Sequence, residues 1–486
     1  QAEYAFRHAV HVEAAYARLP EDDRRRAHRA VARWLEEVGE RDPIVLAGHF
    51  ERADDAKSAI GLLAVAAHLA LESSDLAEAV RLTERALAGG AFGEERGRVL
   101  STAAEAKLWL ANTSEALAEA REALDLLAHG DRSWCTAASV AVIASGRIGD
   151  RAGLTGLAAT VLDLPPETGT PSPERIILHC QLAIQLLFAG ELALADRALS
   201  QMSAGHAQGD PTTAAWFFRA RAWRALASGD TGAYGMLMKR SAASFDQIGD
   251  VRNACVQRVN VAYAAMCLGQ LEDAVQGFDS VIDVALGLGL ANVVAVARHN
   301  AGLVRSWLGS HDDGERDERL AMESFRMQRD ERMVGCCSSY LARILLGRGK
   351  PEEAEAVARE GLFFARGHPP LQALLEATIA EALADRDRAA GRRPGEGAVA
   401  ATTRAMSMLS ELGFVHEGEG YIRYVGARIA FETGELDAAL EATRQAHERL
   451  ETRAQRLSTD ALRQTFLHRV PEHHRTLALF DELRRS

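Results

Sequence analysis

A glycine-centred phrase returns about every forty residues along much of this chain, and that period constrains the fold more than any other feature. The phrase is an apolar stretch, a short turn with Gly and a polar residue, then a second stretch with Ala early in it. It reads FAGELALADRAL from Phe188, LASGDTGAYGML from Leu226, LGQLEDAVQGF from Leu268, WLGSHDDGERD from Trp307, GRGKPEEAEAV from Gly347 and ETGELDAALEA from Glu432. Weaker copies begin at Glu72 and Leu110. The turn glycines are Gly190, Gly229, Gly269, Gly309, Gly349 and Gly434, spaced by 39, 40, 40, 40 and 85 residues. Seven positions before each stands a small residue: Ala183, Ala222, Ala262, Gly302, Ala342 and Ala427. Five positions after stand Ala195, Ala274, Ala354 and Ala439, with Tyr234 and Gly314 breaking the rule. Small side chains at fixed offsets let two helices approach closely, so the unit is a helical hairpin that must stack to bury its apolar stripes.

These residues resemble the tetratricopeptide (TPR) repeat. Ala262 and Gly302 take the place of its first-helix glycine, Ala274 and Phe278 match its A-x3-F, and Ala354 and Ala439 match its alanine. The signature Trp and the closing Pro are missing, and the period exceeds the usual thirty-four or so residues. Longer helices or longer inter-hairpin turns would absorb the difference. The expected fold is all-α, a right-handed superhelix of about ten degenerate TPR-like hairpins with a period near 40 residues. First helices would line a concave groove, and second helices would lie outside.

Composition agrees with a helical, globular chain: 48% of residues are apolar and only 12 of 486 are proline. Acids exceed bases by 68 − 56 = 12, which argues against a nucleic-acid partner. No apolar run reaches the roughly 18 residues of a spanning helix, so no membrane partner is expected. The cysteines Cys135, Cys180, Cys255, Cys267, Cys336 and Cys337 show no zinc-ligand spacing and read as reduced thiols of a cytoplasmic protein. The adjacent pair Cys336 and Cys337 reads as small buried helix residues, with a vicinal disulfide as the rival.

Three regions are expected: a helical junction over 1–59, the array over 60–450 and capping helices over 451–486. The stretches Pro165 to Pro173, Gly205 to Thr213 and Asp385 to Gly397 read as loops, the last as the best candidate for disorder. Phe6-Arg7-His8, Glu13-Ala14-Ala15-Tyr16, Leu19-Pro20, Arg25, His28, Trp34-Leu35 and His49-Phe50-Glu51 resemble a junction in bacterial signal-transduction ATPases with numerous domains (STAND proteins). There, a winged-helix element hands over to a TPR arm. The tail from Phe466 is similar to the closing segment of such arms on bacterial serine/threonine protein kinases. The resemblance implies a longer parent chain, since the sequence begins without Met and inside an element.

Chemistry is absent from the motifs. There is no phosphate loop, since Gly347-Arg-Gly-Lys350 has the wrong spacing and Pro351 follows. No kinase, zincin or nucleophile-elbow pattern occurs. His8, His11 and Glu13, or Glu472, His473 and His474, match no recurring metal site. No catalytic residue, cofactor or metal is therefore assigned. The basic run Arg24, Arg25, Arg26, Arg29 and Arg33 is bracketed by acids and reads as a solvated helix face.

In TPR proteins the ligand-facing stripe lies on the first helices. Here it would include Trp216, Arg219, Trp223 and Leu226, then Val256, Val259, Tyr263 and Met266, and later copies ending with Tyr421, Tyr424, Arg428 and Phe431. Arg219, Tyr263, His299, Arg343, Tyr424 and Arg428 are the candidate groove residues, with arginines and aromatics for carboxylates and apolar anchors of a peptide. Much of the stripe would equally serve packing between hairpins. The functional expectation is the sensor and protein-interaction arm of a bacterial signalling protein, with a protein or peptide ligand and possible intramolecular ATPase or kinase modules. A free-standing scaffold bridging two proteins is the alternative, and a helical-repeat enzyme the third.

Overall fold

In the repeating region, helices of 17 residues alternate with links of three. They are α12 (Pro211–Ala227), α13 (Thr231–Gln247), α14 (Val251–Cys267), α15 (Leu271–Gly287), α16 (Ala291–Trp307), α17 (His311–Met327) and α18 (Glu331–Gly347). Each helix is therefore roughly 25 Å long. The six turn glycines all adopt positive φ, between 70° and 93°. At Gly269 the glycine N–H donates to the Met266 carbonyl at 3.1 Å, and the following Gln270 N–H reaches back to Ala265 at 2.9 Å. This Schellman closure satisfies carbonyls that the helix end leaves open. The same closure recurs between hairpins, at Gly249, Gly289 and the non-glycine Arg329, all with positive φ. Asp230, Asp250 and Asp330 then cap the next helix, accepting from the N–H three residues on. The forty-residue period is thus two equal helix-plus-link halves, and longer helices, not longer inter-hairpin turns, account for it.

This is a computed structural model, which describes residues 8–165, 172–202, 210–412, 415 and 417–485. Among the described residues every regular element is helical, and no helix is long and apolar enough to cross a membrane. The all-α architecture of stacked TPR-like hairpins is the one expected. Compactness divides the chain into Gln1–Ala141 and Val142–Ser486. The first unit contains α1 (Ala9–Arg18), α2 (Glu21–Val38), α3 (Pro43–Arg52), α4 (Ala56–Glu72), α5 (Leu76–Ala88), α6 (Gly93–Trp109) and α7 (Thr113–Leu126). The α8 helix (Arg132–Ile148) runs across the division. The second unit continues with α9 (Arg151–Leu162), α10 (Pro173–Phe188) and α11 (Leu192–Ser200). After α18 come α19 (Pro351–Phe364), α20 (Pro369–Ala389), α21 (Glu396–Leu412), α22 (Glu419–Thr433), α23 (Leu436–Gln455), α24 (Asp460–His468) and α25 (Pro471–Leu483).

Within the second unit, first helices from α14 onward pack on the next first helix as well as on their own partners: α14 on α16, α16 on α18, α18 on α20. First helices are therefore buried round most of their circumference, while α15, α17 and α19 bury one stripe. The closest approach is reciprocal. A Cβ on Gly302 would stand 2.8 Å from the Gly314 carbonyl oxygen, and one on Gly314 would stand 2.5 Å from that of Gly302. Gly314 breaks the alanine rule because the two backbones leave no room for a methyl group.

The loop expected to be disordered is instead anchored. The α20 helix runs on to Ala389, and the Asp387 carboxylate then accepts from Arg392 at 2.8 Å and from the Gly395 N–H at 2.9 Å. The expectation failed because composition shows polarity but not that one carboxylate satisfies the turn. Of the other two loops, 166–171 and 203–209 lie outside the described residues, as do Phe6 and Arg7 of the junction motif.

Gly302→Ala should destabilise the chain by about 2 kcal/mol, since overpacking against backbone outweighs the helix-propensity gain of about 1 kcal/mol. Gly287→Ala, with nothing within 4 Å of the added methyl, should be neutral or stabilising. Urea midpoints of the two variants against the parent check this contrast.

Candidate functional site

The inner face of the second unit is formed by α12, α14, α16, α18, α20 and α22, and its C-terminal half carries ion pairs of low exposure. Arg343 on α18 faces Glu472 on α25 at 3.3 Å, and its guanidinium lies 4.4 Å from the Tyr421 ring centroid. Burial alone would raise the Glu472 carboxyl, but Arg343 holds it below the usual carboxylate range. Burial opposes the Arg343 charge, yet Glu472 wins and raises it. Arg428 on α22 donates to Glu381 and Glu432, each at 2.9 Å, and to Asp385 at 2.5 Å. The Tyr421 hydroxyl donates to the other Glu381 oxygen at 2.6 Å. Arg475 of α25 sits 3.6 Å from Glu381 and 5.9 Å from the Tyr424 ring.

This end of the face is therefore occupied by the chain itself. The α23–α25 segment folds back to the links of α12–α13 and α14–α15. Arg456 donates to the Ser228 carbonyl at 2.6 Å, Arg469 makes two 2.7 Å contacts with Glu272, and Thr465 lies where a Gly269 Cβ would be 2.2 Å from its carbonyl oxygen. Gly269 thus serves both its own positive φ and the docking of α24.

In the middle of the face, His299 stacks on Tyr340, centroids 4.2 Å apart, and its Nδ1 lies 2.6 Å from Glu318 Oε1. Both side chains are buried, and Cys337 Sγ is 3.6 Å from the same nitrogen. Nitrogen, oxygen and sulfur ligand types stand within 4.8 Å of one another. The nitrogen–oxygen gap is that of a hydrogen bond, shorter than the roughly 3.3 Å between two ligands on tetrahedral zinc with bonds near 2.0 Å. As placed, the group is a hydrogen-bonded core. Tyr340 in turn donates to Glu417. All six cysteines are free, and burial pushes the Cys267 and Cys336 thiols up to about 12, so both are poor nucleophiles at neutral pH.

The N-terminal half differs. Arg219 on α12 stacks its guanidinium 4.9 Å from the Trp216 ring, and its Nε is buried with no hydrogen-bond partner among the described residues. Burial, with the Arg147 charge second, pushes it down to about 10. Tyr263 on α14 packs edge-on to Tyr234, centroids 6.3 Å apart.

The six sequence-derived residues thus divide. Arg343, Tyr424 and Arg428 come together around Glu381 and α25, His299 is held by Glu318, and Arg219 and Tyr263 flank Tyr234. Glu381, Glu472 and Tyr234 were not singled out as site residues, although Tyr234 was visible as the break in the alanine rule. In the first unit, junction residues also meet: Tyr16 Oη lies 2.9 Å from His28 Nε2, and His28 Nδ1 lies 3.0 Å from His49 Nδ1. Three members of the basic run face acids, Arg25 on Glu21 and Asp54, Arg26 on Asp23 and Arg29 near Asp55, while Arg24 lies over the Tyr16 ring.

No protein-family model matches the chain, and no curated protein matches it in sequence. Solved structures do. A Rap protein complexed with competence and sporulation factor is 11% identical, with 72% of this chain and 98% of that one covered at a TM-score of 0.52. The Rap conjugation gene regulator of plasmid pLS20, bound to the Phr* peptide, is 11% identical over 81% and 97% of the two chains, TM-score 0.45. A STAND protein with a tetratricopeptide repeat sensor from Pyrococcus horikoshii is 13% identical over 69% and 53%, TM-score 0.42. At these identities the likeness is one of fold.

Glu472 has a depressed folded pKa, so its stabilising contribution is fully present above the unfolded carboxylate value, near 4.3. It is lost as pH falls through the folded value. Hydrogen exchange at α25 should therefore accelerate in that acid window before the rest of the unit opens. Glu472→Gln should give the same local loosening at neutral pH, by about 3 kcal/mol. Unchanged protection of α25 in both experiments would show that the pair does not hold the helix.

Proposed function

We propose that this chain is the ligand-sensing, protein-interaction arm of a multidomain bacterial signalling protein, holding a protein or peptide on the inner face of the second unit. The observation that carries the reading is the seat of α25. A 13-residue helix of the chain's own C-terminal segment packs on α22 and α23 and reaches first helices α18 and α20 through Arg343 and Glu381. Apolar contacts to α22 and α23 with charged anchors on α18 and α20 seat a helix in cis, and the same combination can seat one in trans. The Rap protein complexed with competence and sporulation factor supports the reading by analogy of fold.

A ligand entering the C-terminal half of this face competes with α24–α25, and release of that segment is the conformational output. Linkage to an ATPase or kinase module, in the cytoplasm, follows from the STAND-like junction residues. A phosphate loop or kinase signature in the reading frame ahead of Gln1 would support that linkage, and a frame without either would refute it.

The inner-face reading is tested with the chain's own segment as probe. Gly269→Ala should expel α24, because the methyl meets Thr465 backbone. Gly349→Ala has the same positive φ but open space around it, and should leave α24 in place. A synthetic peptide of residues 460–483 should restore exchange protection of α18 and α20 in the Gly269→Ala chain and bind the parent at least tenfold more weakly. If the peptide protects neither chain, the inner face is not a helix-binding surface.

A further inference from the structure

One cluster of ligand-type side chains has no part in the inner-face reading. His299 on α16, Glu318 on α17 and Cys337 on α18 bring nitrogen, oxygen and sulfur together where three consecutive helices meet. All three side chains are buried. In a core, such groups are ordinarily satisfied by hydrogen bonds or by an ion. Hydrogen bonding is incomplete here. Glu318 Oε1 meets His299 Nδ1, but Glu318 Oε2 is buried with no hydrogen-bond partner among the described residues. Leaving a carboxylate oxygen unsatisfied at that depth costs at least about 1 kcal/mol.

The spacing is close to that of a metal site. On a tetrahedral ion with a nitrogen bond near 2.0 Å and a sulfur bond near 2.3 Å, nitrogen and sulfur lie about 3.5 Å apart. Cys337 Sγ and His299 Nδ1 are 3.6 Å apart. Only the 2.6 Å nitrogen–oxygen gap is too short, and it must open by about 0.7 Å. A proton holds that gap, and an ion would take its place. Room exists on the carboxylate side, where Gly302 presents no side chain and an added Cβ would stand 3.1 Å from Glu318 Oε2. With both carboxylate oxygens engaged, three residues supply four donor atoms, the number that structural zinc takes.

Charge selects the ion. Burial, with Glu318 second, pushes the Cys337 thiol well above its ordinary range, and burial raises the Glu318 carboxyl. Without an ion the thiol is protonated and the histidine–carboxylate pair shares one proton, so the group is neutral. A divalent ion displaces these two protons to solvent and binds one thiolate, one carboxylate and one neutral imidazole, again with no net charge. A monovalent ion would leave a negative charge in the core and a trivalent ion a positive one, each costly to bury. The mixed donor set suits zinc-like ions and not magnesium or calcium, which take oxygen.

We propose that His299, Glu318 and Cys337 form a structural site for a divalent transition metal of the zinc class, tying α16, α17 and α18 together. Because the ligands lie inside the core, the ion enters as the chain folds and is held once the helices close. The site stands apart from the peptide reading, and either can fail alone.

The test uses the full chain produced in cobalt(II)-supplemented cells, purified under reductant and dialysed. The parent should retain one equivalent of cobalt and show a near-ultraviolet thiolate-to-cobalt charge-transfer band. Cys337→Ser should lose the band. His299→Gln and Glu318→Gln should give up the ion to a competing chelator at concentrations at least about 100-fold lower, since even outer-shell changes cost about 10–100-fold in affinity. Cys336→Ser, which removes the adjacent thiol, should keep both ion and band. Chain produced with zinc should retain zinc in the same order of variants. A parent without retained metal, or without the band, would overturn the site. So would a band that survives Cys337→Ser or disappears in Cys336→Ser. Should Cys337→Ser fail to fold, Glu318→Gln, which keeps its volume and can still hydrogen-bond His299, carries the test, and unchanged cobalt retention there overturns the site.

Discussion

The three-residue link with a left-handed centre is the constraint on which the repeating region depends. It reverses the chain within one helical turn's height, so successive helices lie antiparallel at a fixed offset. Because the link is the same within hairpins and between them, the first helices from α14 to α20 meet both their own partners and the next first helix. The inner layer consequently has little circumference left for solvent. Any charge placed there loses hydration and needs a partner. At Arg329 the link tolerates a side chain in the left-handed region, a cost of about 1–2 kcal/mol that only surrounding packing can hold in place.

That requirement sorts the arginines. Arg343 and Arg428 sit among Glu381, Asp385, Glu432 and Glu472, and the carboxylates raise them. Arg219 and Arg453 sit among aromatic rings, thiols and other cations, and burial lowers them despite Asp250 and Glu419, which act in the opposite direction. The two ends of the inner face therefore differ in charge balance although both derive from the same repeat. One end is satisfied by the chain's own acids, including one delivered by α25.

Much of the fold was legible because it rests on local chemistry. Glycine at the turn, alanine at the crossing and an apolar stripe are properties of single positions, and each forms the contact its spacing implies. Gly249 and Gly289 stand at midpoints of the period, and their positive φ makes its two halves match. The face of each candidate side chain was legible for the same reason. Its partner was not. Glu472 meets Arg343 across 129 residues and Glu318 meets His299 across 19, distances at which no periodicity operates. Asp387 was misread because a capping carboxylate and a disordered acidic run look alike in composition.

The occupant of the inner face shows what its empty part lacks. Going along the face, α25 presents Glu472 to Arg343 and Arg475 to Glu381, so each sign on the wall meets its opposite. At the α12–α13 link the self-contact comes from Arg453 and Arg456, which bring cations to a wall already short of acceptors. The chain's own segment thus satisfies the C-terminal half of the face and makes no hydrogen bond to the buried Arg219 Nε, Trp223 Nε1 or Tyr234 Oη. Replacing the segment would require an interaction that the segment itself does not make, since a shift between states requires an interaction that only one of them offers.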